Sequence, residues 1–270
     1  FVGTVMKQTC PYCLLSPIPS ESRPKAIRRG TFRRRSDSRV VQRFQCKCCL
    51  RFFSNATLHP AFRQKKRNKN ESIRRLFSSG VSLRRMSREL HLSRTTVARK
   101  LIYLGEQSRE ELRRMNLECQ KASVVEFDDQ ETFEHTRCKP LSITIAVESK
   151  TRRILGFEVS QMNAKGPLTK IALKKYGRRK DTRCLGRMRL FNRLRDLVSP
   201  TATFKSDENP HYGPDVKRHF PLANHETFKG QRGSITGQGE LKKVRFDPLF
   251  SLNHTCAMTR ANINRLFRKT

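Results

Sequence analysis

Two carboxylates, Asp128 and Asp207, each stand where a strand-like run ends: Val124-Val-Glu-Phe-Asp128 and Thr203-Phe-Lys-Ser-Asp207. The first run is crowded, with Glu126, Asp128, Asp129 and Glu131 inside six residues of a chain carrying 58 Lys and Arg against 23 Asp and Glu. Strand ends of one sheet can lie side by side however far apart they are in sequence. Carboxylates brought that close repel unless a divalent cation neutralises them, and Mg²⁺ favours a few carboxylates together with phosphate oxygens. Two such ions can serve an attacking and a leaving oxygen. The competing account is a pair of ordinary strand-end acids matched to surplus arginine. Asp129 should point to the opposite face from Asp128, because side chains alternate along a strand.

Cysteine supplies a second constellation. Cys10-Pro-Tyr-Cys13 and Cys46-Lys-Cys-Cys49 form two C-x-x-C turns, each presenting two thiolates to one side. Two such turns complete a tetrahedral Zn²⁺ site, with Cys48 as the spare thiol. Arg43-Phe-Gln45 before the second turn and Phe52-Phe53 after it read as a zinc-ribbon hairpin. Cys119, Cys138, Cys184 and Cys256 are scattered and read as structural.

The third pattern is helical. Glu71 to Ser79 ends at Gly80, Ser82 caps a short helix to Leu90, His91-Leu92 turns, and Ser93 caps a third helix to about Tyr103. Leu83, Met86, Leu90, Leu92, Val97 and Leu101 take core positions. Arg94, Thr95, Thr96, Arg99 and Lys100 are then expected to face outward, as in the recognition helix of a helix-turn-helix.

These patterns divide the chain into a zinc ribbon (1–60), an all-α helix-turn-helix domain (61–120, opening on a basic linker at Arg63–Asn70) and an α/β domain (121–270). In the last, residues 124–129, 141–148 and 154–159 alternate with period two and predict an antiparallel meander. Residues 165–183 are dense in Lys and Arg and read as a loop. A helix is expected at 184–198, a loop at Gly230–Gly239 and a helix from Pro248. The chain opens at Phe1 and stops within a helical pattern, so truncation at both ends is expected. A net charge of +35 points to a polyanion, nucleic acid first, and the helix-turn-helix beside a zinc ribbon makes double-stranded DNA the expected partner. Aromatic residues are 8% and Trp is absent, which argues against a stacking surface for RNA. No apolar run suits a membrane span, and a cytoplasmic, nucleoid-associated location is expected.

The order zinc ribbon, helix-turn-helix, then a strand ending in Phe-Asp-Asp-Gln resembles the insertion-sequence-one class of bacterial DDE transposases. The likeness continues at Ser206-Asp-Glu-Asn-Pro-His-Tyr212 and at Arg260-Ala-Asn-Ile-Asn-Arg-Leu-Phe-Arg-Lys-Thr270. It implies an RNase H-like core that cuts and joins DNA at transposon ends with Mg²⁺ or Mn²⁺, working as a homodimer or higher oligomer. It also implies that Asp128 and Asp207 are the first two acids and Arg260 the basic residue after the third. By register the third acid falls at Asn253, a neutral carbonyl donor, and related insertion-sequence families are known with Asn there. Leu252, Cys256, Thr259, Ile263 and Leu266 form an apolar stripe at helical spacing, with Asn253 and Arg260 together on the adjoining face. Asp247 and Glu240 are the other candidate acids, and His254 a candidate phosphate contact. The alternative is a transposase-derived regulator that binds DNA without cutting it.

Overall fold

A computed structural model describes residues 10–13, 26–35, 38–57, 59–229, 247–263 and 266. Glu240 and the Gly230–Gly239 stretch lie outside them. The chain divides into two compact units, Phe1–Phe77 with Ser82–Lys100, and Ser78–Val81 with Leu101–Thr270.

The first unit opens with a three-stranded antiparallel sheet, β1 (Ala26–Arg33), β2 (Val40–Cys46) and β3 (Phe52–Phe53). Phe44 of β2 pairs with Phe53 of β3, the hairpin expected around the second cysteine turn. Their rings stack at 5.6 Å and pack with Cys10, Cys13 and Cys46. Gly30, at φ +69, falls within the register shift of β1 against β2, where a bulge needs a left-handed residue.

Three helices follow: α1 (Asn70–Ser78), α2 (Leu83–Glu89) and α3 (Arg94–Leu117). Gly80 at φ +73 closes α1, and the Ser82 hydroxyl accepts the Arg85 N–H to cap α2. Ser93 accepts the Thr96 N–H at the start of α3. Ile73, Met86, Leu92 and Val97 are buried among them, whereas Leu83 is exposed. Helix α3 runs 14 residues past the expected Tyr103 (117 against 103). Beyond Gly105 ten of the twelve residues to Leu117 are Glu, Gln, Leu, Arg or Met, all strong helix formers, and no Gly or Pro interrupts them.

The second unit is a five-stranded mixed sheet in the order β6-β5-β4-β7-β8. Its strands are β4 (Ala122–Phe133), β5 (Pro140–Glu148), β6 (Ile154–Gln161), β7 (Val198–Asp207) and β8 (Asn224–Phe228). Strands β4, β5 and β6 form the expected antiparallel meander, while β7 and β8 run parallel to β4. One face packs Val125, Phe127 and Ala146 against α5 (Arg183–Leu194) and α6 (Tyr212–His219) through Leu190, Phe191, Leu194 and Val216. A Cβ on Gly156 would lie 2.9 Å from Leu190, so glycine sets how closely α5 approaches β6. The other face packs Ile143, Ile145 and Val147 against α7 (Phe250–Asn262) through Leu252 and Cys256. The predicted stripe holds on α7 through Leu252 and Cys256; Ile263 and Leu266 lie past the helix end, Ile263 exposed and Leu266 still packed against the same cluster.

The basic run at 165–183 is not simply a loop: α4 (Leu168–Tyr176) occupies its middle, ended by Gly177 at φ +70. Leu168, Ala172 and Tyr176 recur every four residues and turn inward, which the lysine density conceals in sequence. No helix among the described residues is long and apolar enough to cross a membrane.

Candidate carboxylate and cysteine sites

The parallel pairing of β4 with β7 brings the two acids together. Val125 partners Phe204 and Glu126 partners Lys205, so two residues further on Asp128 comes level with Asp207. Asp128 shows the electrostatic consequence. Its carboxyl is pushed up to about 6 by burial first and by the Asp207 charge second, against hydrogen bonds that pull it down. Those bonds come from the Asp129 N–H at 2.6 Å and the Tyr212 hydroxyl at 3.1 Å, both to Oδ1. Asp207 accepts the Asn209 N–H at 3.1 Å. Tyr212 is fully buried, with its ring 4.9 Å from Phe127, and the buried setting holds its phenol well above the ordinary range. The Tyr five residues after Asp207 is visible in sequence as part of a motif; that its hydroxyl reaches Asp128 is not.

Asp129 turns the other way, as strand alternation requires. It accepts the Thr144 hydroxyl and faces Arg187 of α5 at 3.7 Å. Arg187 is almost fully buried, donates to Asp215 of α6 at 2.6 Å, and lies over the Tyr212 ring. A charged network therefore braces β4, α5 and α6 directly behind the Asp128–Asp207 level. Sequence reasoning misses it, since Arg187 looks like one more base in a basic chain.

Glu126, one of the crowded acids of β4, has a structural task. It is buried at 2% exposure, and its carboxylate accepts the Leu252 N–H at 2.8 Å, in the first turn of α7. A carboxylate there satisfies a free amide and meets the positive end of the helix dipole. Further along, the Thr259 hydroxyl donates to Gln130. These two anchors, at Glu126 and Gln130, bracket Asp128 on β4. Asn253 follows Leu252, is exposed, and donates through Nδ2 to Asp247 at 2.8 Å. That bond assigns the amide nitrogen to Asp247 and leaves the carbonyl oxygen as the end available to a ligand. Arg260 lies two turns on and is half-buried. His254 stacks near Phe250, with its ring nitrogens 3.2 and 3.3 Å from an Arg152 nitrogen.

The cysteine site closes as expected. Sulfurs of Cys10, Cys13, Cys46 and Cys49 all lie within 4.8 Å of one another, while Cys48 is exposed. Burial raises the Cys10 and Cys13 thiols. Burial acts on Cys46 too, but N–H donors from Cys49 and Cys48 outweigh it and bring that thiol down to about 7. Four clustered sulfurs, three buried and that of Cys49 half-buried, with backbone N–H support match a structural metal such as Zn²⁺. This is the one group of three or more His, Cys, Asp or Glu side chains among the described residues that could share an ion. Among the described residues a third carboxylate therefore does not join Asp128 and Asp207. Cys138 and Cys256 are buried, whereas Cys119 and Cys184 are exposed and hold no core together.

On α3, Arg94, Thr95 and Arg99 are exposed, and Thr96 is engaged with Ser93. Arg94 joins Arg84, Ser87 and Arg88 around an open basic cleft of about 360 Å³. Lys100 corrects the sequence expectation. It is 3% exposed, and its ammonium donates to Gln64 at 3.1 Å and Asn70 at 2.7 Å, so it faces inward. Both acceptors belong to the stretch read as a linker, which is therefore a packed part of the unit. No protein-family model matches this chain, and no curated protein matches it.

Proposed function

We propose that the chain is a DNA transposase that cleaves and joins DNA ends at the Asp128–Asp207 pair. The observation that carries the reading is the level placement of these acids on adjacent parallel strands, where Asp128 is half-buried, its carboxyl pushed up by desolvation and then by Asp207, and held by Tyr212. Two carboxylates in mutual repulsion fit a hard divalent cation, and Mg²⁺ or Mn²⁺ bound there would supply Lewis acidity to the phosphodiester oxygens. Asp128 and Asp207 would hold the ions, and Tyr212 fixes the Asp128 carboxylate. With no third carboxylate adjoining among the described residues, Asn253 would offer a neutral carbonyl oxygen and Arg260 a phosphate contact. The mixed sheet with helices on both faces is compatible with the RNase H-like core that the sequence resemblance implies. The cysteine cluster, the capped three-helix segment and its basic cleft support a DNA-binding role for the first unit, with Arg94, Thr95 and Arg99 toward the duplex.

A second reading, a regulator that binds DNA without cutting it, is favoured by one feature: an uncharged Asn253 tied to Asp247 where an acid is expected. Nicking and strand transfer on supercoiled plasmid carrying candidate ends, with Mg²⁺ or Mn²⁺, separates the two. Cleavage by wild type and its loss in Asp128→Asn is the expected result. An inert wild type whose cutting is restored by Asn253→Glu would establish the regulator instead.

A further inference from the structure

Between β6 and α5 the chain makes a closed excursion. Gln161 and Thr182 meet at its stem, where Gln161 N–H donates to the Thr182 hydroxyl and Thr182 N–H donates to the Gln161 carbonyl, at 2.9 and 3.0 Å. Residues 162–181 thus leave the sheet and return to one point. They carry seven Lys and Arg and one acid, Asp181, which Arg183 engages.

How this arm is fastened distinguishes its bases from one another. Near its start Lys165 pairs with Glu131 at 2.5 Å, and near its end Arg179 pairs with Glu134 at 2.5 Å. Tyr176 packs edge-on against His135. Glu131, Glu134 and His135 all follow Asp128, on the end of β4 and the turn into β5. The arm is therefore fastened beside the carboxylate pair. Lys170, Lys174 and Arg178 between the fastenings, and Lys180 just after the second, are exposed and have no carboxylate in range among the described residues. Lys170 and Lys174 are four apart on α4, a like-charge spacing that weakens a helix by itself. Of the nine residues of α4 only Ala172 is buried, so the helix adds little to the core. A solvated basic surface would serve solubility anywhere; this one is fastened by one ion pair to the strand that carries Asp128 and by another to the turn that follows it.

We propose that residues 162–181 form an arm that grips the phosphate backbone of duplex DNA beside the Asp128–Asp207 pair, through Lys170, Lys174, Arg178 and Lys180. Its location rests on reading that pair as the catalytic centre, but its DNA contact does not. The partner follows from charge: spaced point cations without a stacking aromatic suit backbone phosphates and carry no base readout.

The test uses the full chain and a 30-base-pair duplex of random sequence. Lysine acetylation read by mass spectrometry should show Lys170, Lys174 and Lys180 protected by DNA. The variant Lys170→Gln/Lys174→Gln/Arg178→Gln/Lys180→Gln should bind with a log–log salt slope shallower by about 3 to 4, from roughly 0.9 per phosphate contact. Its circular dichroism and zinc content should match wild type. An unchanged slope, with the three lysines acetylated equally with and without DNA, overturns the arm and leaves the nicking result untouched. A shallower slope in a chain that never nicks removes the catalytic reading and keeps the arm.

Discussion

Replacing Asp128 by Asn removes a charge that the fold holds at a free-energy cost. The Asp128 carboxyl titrates near 6 in place of 3.8, through burial and then through Asp207. A raised folded-state value means the folded protein binds this proton more tightly than the unfolded chain does. The resulting stability is full below about pH 4 and is lost as pH rises through about 6. A shift of about two units, at about 1.4 kcal/mol each, sets the loss on the order of 3 kcal/mol above pH 6. The amide of Asp128→Asn keeps an oxygen for the Tyr212 hydroxyl but carries no charge. The variant should therefore melt above wild type at pH 7.5, by several degrees and up to about 10 °C, and the gap should close toward pH 4. Differential scanning fluorimetry in chelator-free buffer reads this directly. Millimolar Mg²⁺ should raise the wild-type midpoint at pH 7.5 and leave the variant unmoved, since a cation relieves the same repulsion. A variant less stable than wild type at pH 7.5, or a gap that does not change with pH, would refute the reasoning.

The hydroxyl of Tyr212 holds the Asp128 carboxylate down, so Tyr212→Phe should move the pH midpoint of Mg²⁺ stabilisation upward; a midpoint that stays or falls contradicts the contact. Cys46→Ser should abolish stoichiometric zinc in the purified chain, measured by mass spectrometry, while Cys48→Ser keeps it. Lys100→Ala leaves the half-buried Asn70 amide oxygen without its donor, while the Gln64 oxygen keeps the Asn70 N–H at 2.7 Å, and should cost about 1–3 kcal/mol. In denaturant unfolding that loss should appear with an unaltered DNA salt slope, whereas a phosphate-contacting lysine would change the slope.

Several features could be read from the chain because neighbours in sequence produce them. Gly80 and Ser82 frame a helix break whatever surrounds them, since one supplies a left-handed backbone and the other a capping oxygen. The two C-x-x-C turns each pre-place a thiolate pair, and period-two alternation makes the β4–β5–β6 meander legible. Helix α4 was hidden because its inward residues are only Leu168, Ala172 and Tyr176 among crowded lysines. Local pattern gave Lys100 an outward face, and only the return of Gln64 and Asn70 onto α3 supplied the oxygens that let an ammonium be buried.

For the candidate site, sequence alone determined which residue types end the two strands and that position 253 holds an uncharged Asn. Only the tertiary structure decided that β7 lies parallel beside β4, which makes Asp128 and Asp207 neighbours and lifts one of them toward neutrality. It also decided that Glu126 caps α7, that Tyr212 reaches Asp128, and that Arg187 is held between Asp129 and Asp215. Each of these depends on the meeting of elements far apart in the chain, and the energies involved are set by burial and proximity, which a side chain acquires only once the sheet has closed around it.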